Sequence, residues 1–208
     1  MRRSSACLSF WGFYSVPGWA PKGQYAEWHG HNLLDAGSPT QKDHDRVWGR
    51  KFTYDQFVPM LTGEGFNADE WTALIRKAGA KHVVVAANFH DGFAMHPTKY
   101  AVSKFGDRWN AYDRGPHRDL LGELQSAATA KGLKMGIYYS LCEWWHSLDQ
   151  SGQLESMPWS SGPEVQGGSH PLQTADYISR RRVGAPVPGL AFVTAANFTS
   201  SARASLGG

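Results

Sequence analysis

The run His82-Val-Val-Val-Ala-Ala-Asn88 constrains this chain more than any other stretch. It is apolar on consecutive positions, with three β-branched valines in a row and no polar face to turn toward water. Such a run suits a parallel strand buried on both sides. Leu133-Lys-Met-Gly-Ile-Tyr-Tyr-Ser140 reads as a second strand and Phe10-Trp-Gly-Phe-Tyr14 as a third.

Helical patterns separate these runs. Thr53 and Gln56 have capping-box spacing, and Phe52 and Phe57 are placed to staple a helix near 54–61. Asn67, with Glu70 three positions on, caps a second helix whose apolar face is Trp71, Leu74, Ile75 and Ala78, with Gly79 as its stop. A third starts near Arg118-Asp119, buries Leu120, Leu121, Leu124 and Ala128, and ends before Gly132. Each helix leads into a strand, the pattern of βα units on a parallel sheet, either a barrel or a doubly wound fold.

From about residue 149 the character changes. The stretch 149–208 is rich in Ser, Gly and Pro, has no Lys, and holds one short apolar run, Leu190-Ala-Phe-Val193. It reads as a low-order tail unable to fold by itself. The abrupt change also fits a frameshift or a misread intron.

Several function classes have little support. The net charge of +3 over 208 residues is spread without a sustained basic block, which counts against nucleic-acid and anionic-membrane binding. No run approaches the roughly 20 apolar residues of a membrane span, and no signal peptide is recognisable at the start. Cys7 and Cys142 do not make a disulfide scaffold. His29-Gly-His31 looks like a chelating pair, yet neither a His-Glu-x-x-His helix nor a Cys/His framework accompanies it, so no metal is expected. Nucleotide-binding glycine loops and a serine-nucleophile elbow are missing too.

Three clusters carry chemistry, each near the carboxyl end of an expected strand, where α/β folds build their sites. Tyr14-Ser-Val-Pro-Gly-Trp19 continues to Tyr25-Ala-Glu-Trp28, setting a carboxylate beside indole rings. That combination suits a sugar, whose C–H face stacks on the ring while its hydroxyls bond the acid. The same residues also fit a loop folded over the barrel mouth. Asn88-Phe-His-Asp-Gly-Phe-Ala-Met95 places His90 and Asp91 at a strand end. Tyr138-Tyr-Ser-Leu-Cys-Glu-Trp-Trp145 brings aromatics and Glu143 to the same rim.

These segments resemble glycoside hydrolase family 29, the α-L-fucosidases. The resemblance runs in order through Tyr14–Trp28, Phe52–Phe57, Asp69–Trp71, Ala78–Lys81, His90–Phe93, Arg114–Leu120 and Tyr138–Trp144, covering about residues 11–146. It implies an α/β fold, the first βα units of a partial (β/α) TIM-like barrel over 11–148, followed by the irregular tail. It also implies a retaining hydrolase that releases α-linked L-fucose from a fucosylated glycan or glycoprotein, with no cofactor and no metal, in a lysosomal or secreted setting. Carried over by position, Glu27, Trp28, His90 and either Tyr138 or Tyr139 are substrate-binding residues.

Two departures stand inside the resemblance. Where the family has His-Trp-Gly, this chain has Phe10-Trp11-Gly12. Where it has Lys-His-His-Asp-Gly, this chain has Asn88-Phe89-His90-Asp91-Gly92. No residue after 148, Asp176 included, matches the family's nucleophile strand, and the acid/base residue has no counterpart. The 208 residues are therefore expected to be catalytically inactive. The rival expectations are a non-catalytic glycan-binding remnant using Trp19, Glu27, Trp28 and His90, and a gene-model fragment.

Overall fold

Asn67 shows how the local sequence builds this fold. Its side-chain oxygen accepts from the backbone N–H groups of Asp69 and Glu70, satisfying donors that a helix start leaves free. In the computed structural model of the chain, residues 5–140 and 143–145 are described, together with the backbone of 191–194. Cys142, Asp176 and most of the stretch 149–208 lie outside the described residues.

The main sheet contains β1 (Ala6–Ser9), β2 (His82–Asn88), β5 (Lys134–Tyr139) and β6 (Ala191–Thr194), in that spatial order and all parallel. A small antiparallel pair, β3 (Val102–Ser103) and β4 (Gly106–Asp107), sits within the connection that follows β2. The helices are α1 (His29–Asn32), α2 (Pro39–Val47), α3 (Ala68–Lys77), α4 (Ala111–Arg114) and α5 (Leu120–Ala130), with 3-10 turns at Phe13–Ser15, Ala26–Trp28 and Tyr54–Met60.

Helix α3 precedes β2 and α5 precedes β5, and the two helices lie against each other on one face of the sheet. That face is closed: Val83, Val85, Met135 and Ile137 are all buried, with Leu120, Leu121, Leu124 and Ala128 of α5. The opposite face is open at its β1 edge, where Leu8 is 37% and Phe10 42% exposed.

Most capping expectations hold. Gln56 accepts from the Thr53 backbone N–H at 2.7 Å, and the Phe52 and Phe57 rings meet with centroids 4.8 Å apart. Asp119 caps α5 by accepting from Gly122 N–H at 2.9 Å. Gly79 and Gly132 end α3 and α5 with φ of +86° and +68°, conformations that glycine adopts without a Cβ penalty.

Other expectations need correction. The first strand is Ala6–Ser9, not Phe10–Tyr14. The chain leaves the sheet at Phe10, and residues 13–15 form a 3-10 turn. Gly12 is the reason this works, since a Cβ there would lie 2.6 Å from the Tyr14 ring. Leu74 is 67% exposed, whereas Thr72 is fully buried and its hydroxyl donates to Ala68 O at 2.7 Å. The buried face of α3 is therefore rotated from the apolar stripe. The segment Tyr54–Met60 is a 3-10 turn rather than an α-helix, with Pro59 inside it. Helix α2 was not expected, although Ser38 followed by Pro39 is a start signal: Ser38 Oγ accepts from Gln41 N–H at 3.0 Å. The apolar run near Leu190 supplies a fourth strand, β6, where three had been expected.

These contrasts predict a pair of stability effects. Leu124→Ala should cost about 2–5 kcal/mol through a buried cavity, and Leu74→Gln less than about 0.5 kcal/mol. Urea denaturation of both variants checks this, and similar losses would contradict the rotated face.

Candidate active site

The carboxyl ends of β1, β2 and β5 place one aromatic ring each at a common mouth. Phe10 follows β1, Phe89 follows β2, and Tyr138 lies in β5. Phe10 meets Phe89 and Tyr138 edge-on, at 5.6 and 5.2 Å between centroids, and Phe89 stacks on Tyr138 at 5.7 Å. The Tyr138 hydroxyl accepts from Ser140 Oγ at 3.3 Å.

Beside this wall lies a second ring group. Trp28 meets His90 at 5.3 Å and Trp144 at 5.1 Å, while His90 stacks on Trp144 at 5.5 Å with planes 25° apart. His31 closes on both indoles, at 5.3 Å from Trp28 and 5.2 Å from Trp144. A backbone bond from Trp144 N–H to His90 O, 2.7 Å, ties the two segments. Glu27 sits half-buried in the turn just before Trp28. Its charge is one of those that, after burial and Asp91, push the Tyr14 hydroxyl far above the ordinary range. Tyr14 in turn touches Phe89 at 5.7 Å.

The two tyrosines separate on alternating sides of β5. Tyr138 joins the aromatic wall, but Tyr139 turns into the interior, where its hydroxyl donates to Glu143 Oε1 at 3.2 Å. Glu143 is 1% exposed, and Asn88 Nδ2 donates to the same oxygen at 2.8 Å. The other carboxylate oxygen faces Gly92, whose φ is +71° and where a Cβ would come within 2.9 Å of Oε2. Glycine is thus required at 92 both for its conformation and for the close approach. Burial pushes the Glu143 carboxyl up to about 8, with the Asp91 charge adding to it and the Tyr139 and Asn88 bonds opposing.

Asp91 is the second buried acid. Phe93 N–H donates to Oδ1 at 2.9 Å and the Tyr54 hydroxyl to Oδ2 at 3.3 Å, and Trp109 Nε1 donates to its backbone carbonyl at 3.1 Å. Burial outweighs these bonds and pushes the carboxyl up to about 7. Both acids are thus buried at the strand ends, their oxygens held by Asn88 and Tyr139 and by the Phe93 N–H and Tyr54.

The chelating-pair reading of His29 and His31 does not survive. His29 is buried; its Nε2 lies 3.3 Å from His44 Nδ1 and its Nδ1 3.4 Å from Trp19 O, while His31 faces the two indoles. Burial holds the His29 imidazole below its ordinary value. Among the described residues no group of three metal-binding side chains forms.

Sequence reasoning brought Trp28 and His90 into one list, and the structure sets their rings in contact. The sequence places the aromatics of Tyr138–Trp145 at the same rim without singling out Trp144 as a sugar-binding residue, and it gives no sign of His31 in this group or of Tyr54 as the partner of Asp91. The pairing of residues 54 and 91 leaves no local pattern to read. Trp144 did have a signal, a Glu-Trp pair at a strand end that mirrors Glu27-Trp28.

The chain matches the sequence model of the α-L-fucosidase family over residues 7–161. It is 38% identical over 140 residues to an α-L-fucosidase of Dictyostelium discoideum, and 39% identical over 138 residues to the tissue α-L-fucosidase of Rattus norvegicus. Each match takes in 66% of this chain and less than a third of the relative, 29% and 28% respectively. Among solved structures, the Thermotoga maritima α-fucosidase in complex with fucose is similar with a TM-score of 0.62 and 39% identity, over 66% of this chain and 33% of that one. The same enzyme with a mechanism-based inhibitor is matched over 85% of this chain and 40% of that one, with a TM-score of 0.64 and 32% identity.

The buried acids fix a pH dependence. Glu143 moves from its ordinary 4.5 to about 8 and Asp91 from 3.8 to about 7, so across that window the folded chain binds more protons than the unfolded one. Stability must then fall as pH rises from about 4 to about 8. Glu143→Gln should flatten much of that decline and leave the Asp91 share. Urea midpoints at both ends of the window test this; an unchanged slope in the variant would contradict it.

Proposed function

The chain belongs to the α-L-fucosidase family, and we propose that its strand ends form part of the fucose-binding mouth of a retaining glycoside hydrolase that releases α-linked L-fucose from fucosylated glycans. The observation that carries this reading is the contact of Trp28, His90 and Trp144, brought from three distant segments to one mouth. Indole faces stack on the C–H face of a pyranose, and an imidazole and a carboxylate alongside bond its hydroxyls. In this reading Glu27 and His90 bond the sugar, Trp28 supplies the stacking face, and Tyr138 lines the floor. Tyr139 acts one step back, holding Glu143.

The same reading takes residues 11–148 as the first βα units of a (β/α) barrel and 149–208 as a following stretch that returns one strand to the sheet. Two features support it. The parallel strands follow one another in chain order with α3 and α5 on one face, and the other face leaves Leu8 and Phe10 exposed, as the inner wall of an open barrel would. The sequence after residue 148 carries no motif that reads as the family's nucleophile strand, and the chain alone is proposed to bind sugar without turning it over.

Isothermal titration of the 208-residue chain with L-fucose should give saturable binding. Trp28→Ala and His90→Ala should each weaken it by about tenfold or more, in line with about 1–3 kcal/mol for an unpaired or lost contact. An aryl α-L-fucoside should release no aryl alcohol. Binding unchanged in both variants would refute the assignment of the mouth, and fucoside turnover by the chain alone would refute the inactivity.

A further inference from the structure

Behind the mouth, His29 and His44 form a buried pair that the sugar-binding reading does not use. Nε2 of His29 lies 3.3 Å from Nδ1 of His44, and each outer nitrogen meets a backbone carbonyl. His29 Nδ1 is 3.4 Å from Trp19 O, and His44 Nε2 is 2.8 Å from Phe52 O. Carbonyl oxygens only accept, so both outer nitrogens must carry a proton, and the contact between the rings needs a third. Two neutral imidazoles hold only two. The complete chain from Trp19 O to Phe52 O therefore carries one positive charge shared by the pair. With both rings neutral one contact loses its proton, and the longest, to Trp19 O, is the most readily given up.

The surroundings decide when that charge is held. Tyr54 stacks on His29 at 6.2 Å, its hydroxyl committed to Asp91, and Phe57 meets both imidazoles edge-on at 5.8 and 5.7 Å. Asp43 of α2 favours a charged His29, but it is itself paired with Arg46. Loss of water outweighs it and holds His29 below its ordinary value, so the third proton enters only in acid. Trp19 O belongs to the loop that leads to Glu27 and Trp28, and His29 follows Trp28 directly. The bond from His29 to Trp19 O thus closes that loop on itself, while His44 joins it to α2 and to Phe52.

We infer that His29 and His44 are positioning residues that take up one shared proton and so fasten the Trp19–Trp28 loop, making the mouth hold its sugar more tightly in acid than at neutral pH. The effect on sugar rests on the reading of the mouth as a fucoside site; the shared proton does not.

The test is NMR of the 208-residue chain with labelled histidine, followed from about pH 7.5 to about pH 4.5. The pair should pass from two ring N–H groups to three, both rings moving through one common midpoint below the roughly 6.5 of a free imidazole. The Ala20 amide, on the peptide whose carbonyl is Trp19 O, should move with the same midpoint. Calorimetric titration with methyl α-L-fucopyranoside should show affinity rising about threefold to tenfold across that midpoint, the scale of one neutral hydrogen bond. His29→Gln should remove this rise, since its amide carries two donors and no proton to gain, while a rise due to His90 would persist in it. Two rings titrating at separate midpoints, or an Ala20 amide that stays still, would overturn the shared proton, and these readings on the native chain decide it even if the variant unfolds. An affinity rise unchanged in a folded His29→Gln would overturn the link to the mouth. If the fucoside binds at no pH, the reading of the mouth falls and the link with it, while the proton count still stands or falls by NMR.

Discussion

The parallel ladder between β2 and β5 fixes the strand ends from which the mouth is built. His82 pairs with Lys134 and the register advances evenly to Ala86 and Tyr138, then shifts so that Asn88 lies opposite Tyr139. That one irregularity brings Asn88 level with β5, so that its amide donates to Glu143 and its oxygen accepts from Ser140 N–H at 3.2 Å. The same shift marks where β2 gives way to Phe89 and His90, the first residues of the mouth. Because side chains alternate across a strand, a displaced register would exchange Tyr138 with Tyr139 and dismantle both the wall and the acid beneath it.

Beneath the rings the two acids form a scaffold rather than a reacting pair. Each is buried, each carboxyl is raised mainly by loss of water, and each is held by neutral donors. The position that the family resemblance fills with lysine is Asn88 here. An ammonium there would favour an ionised Glu143, whereas an amide stabilises the anion less. The residues at which the two departures from the family pattern fall, 10, 88 and 89, thus lie together at adjoining strand ends: Phe10 and Phe89 make the wall apolar, and Asn88 gives the acid an amide donor.

How far the sequence reached depended on how local the cause was. Caps at Thr53 and Asn67, and the helix start near Asp119, were legible because a side chain bonds a backbone group two or three residues away. The β2 and β5 strands were legible because their runs are long and apolar. The first strand was misplaced by a few residues: the aromatic run that looks like a strand, Phe10–Tyr14, is a turn built around Gly12, while the true strand is short and half-exposed. Leu74 misled for a tertiary reason: α3 packs against α5 with Thr72 inward and Leu74 outward, a seating set by contacts between helices far apart in the chain. At the mouth, family resemblance named Glu27, Trp28, His90 and the pair Tyr138 and Tyr139, but that the two tyrosines lie on opposite sides of β5, and that Trp144 meets Trp28 and His90, needed coordinates. Those depend on register and on contacts between residues far apart in the chain, which a single sequence does not encode locally.

The central claim is that Trp28, His90 and Trp144 face one sugar at one mouth. Indole and imidazole resonances of the chain, followed by NMR during titration with methyl α-L-fucopyranoside, test it most directly. The predicted result is saturable shifts confined to Trp28, Trp144 and His90, with Trp11 and Trp48, which pack elsewhere against Phe66 and Phe57, left unmoved. Uniform small shifts over all these rings, or shifts at Trp11 and Trp48 alone, would contradict it.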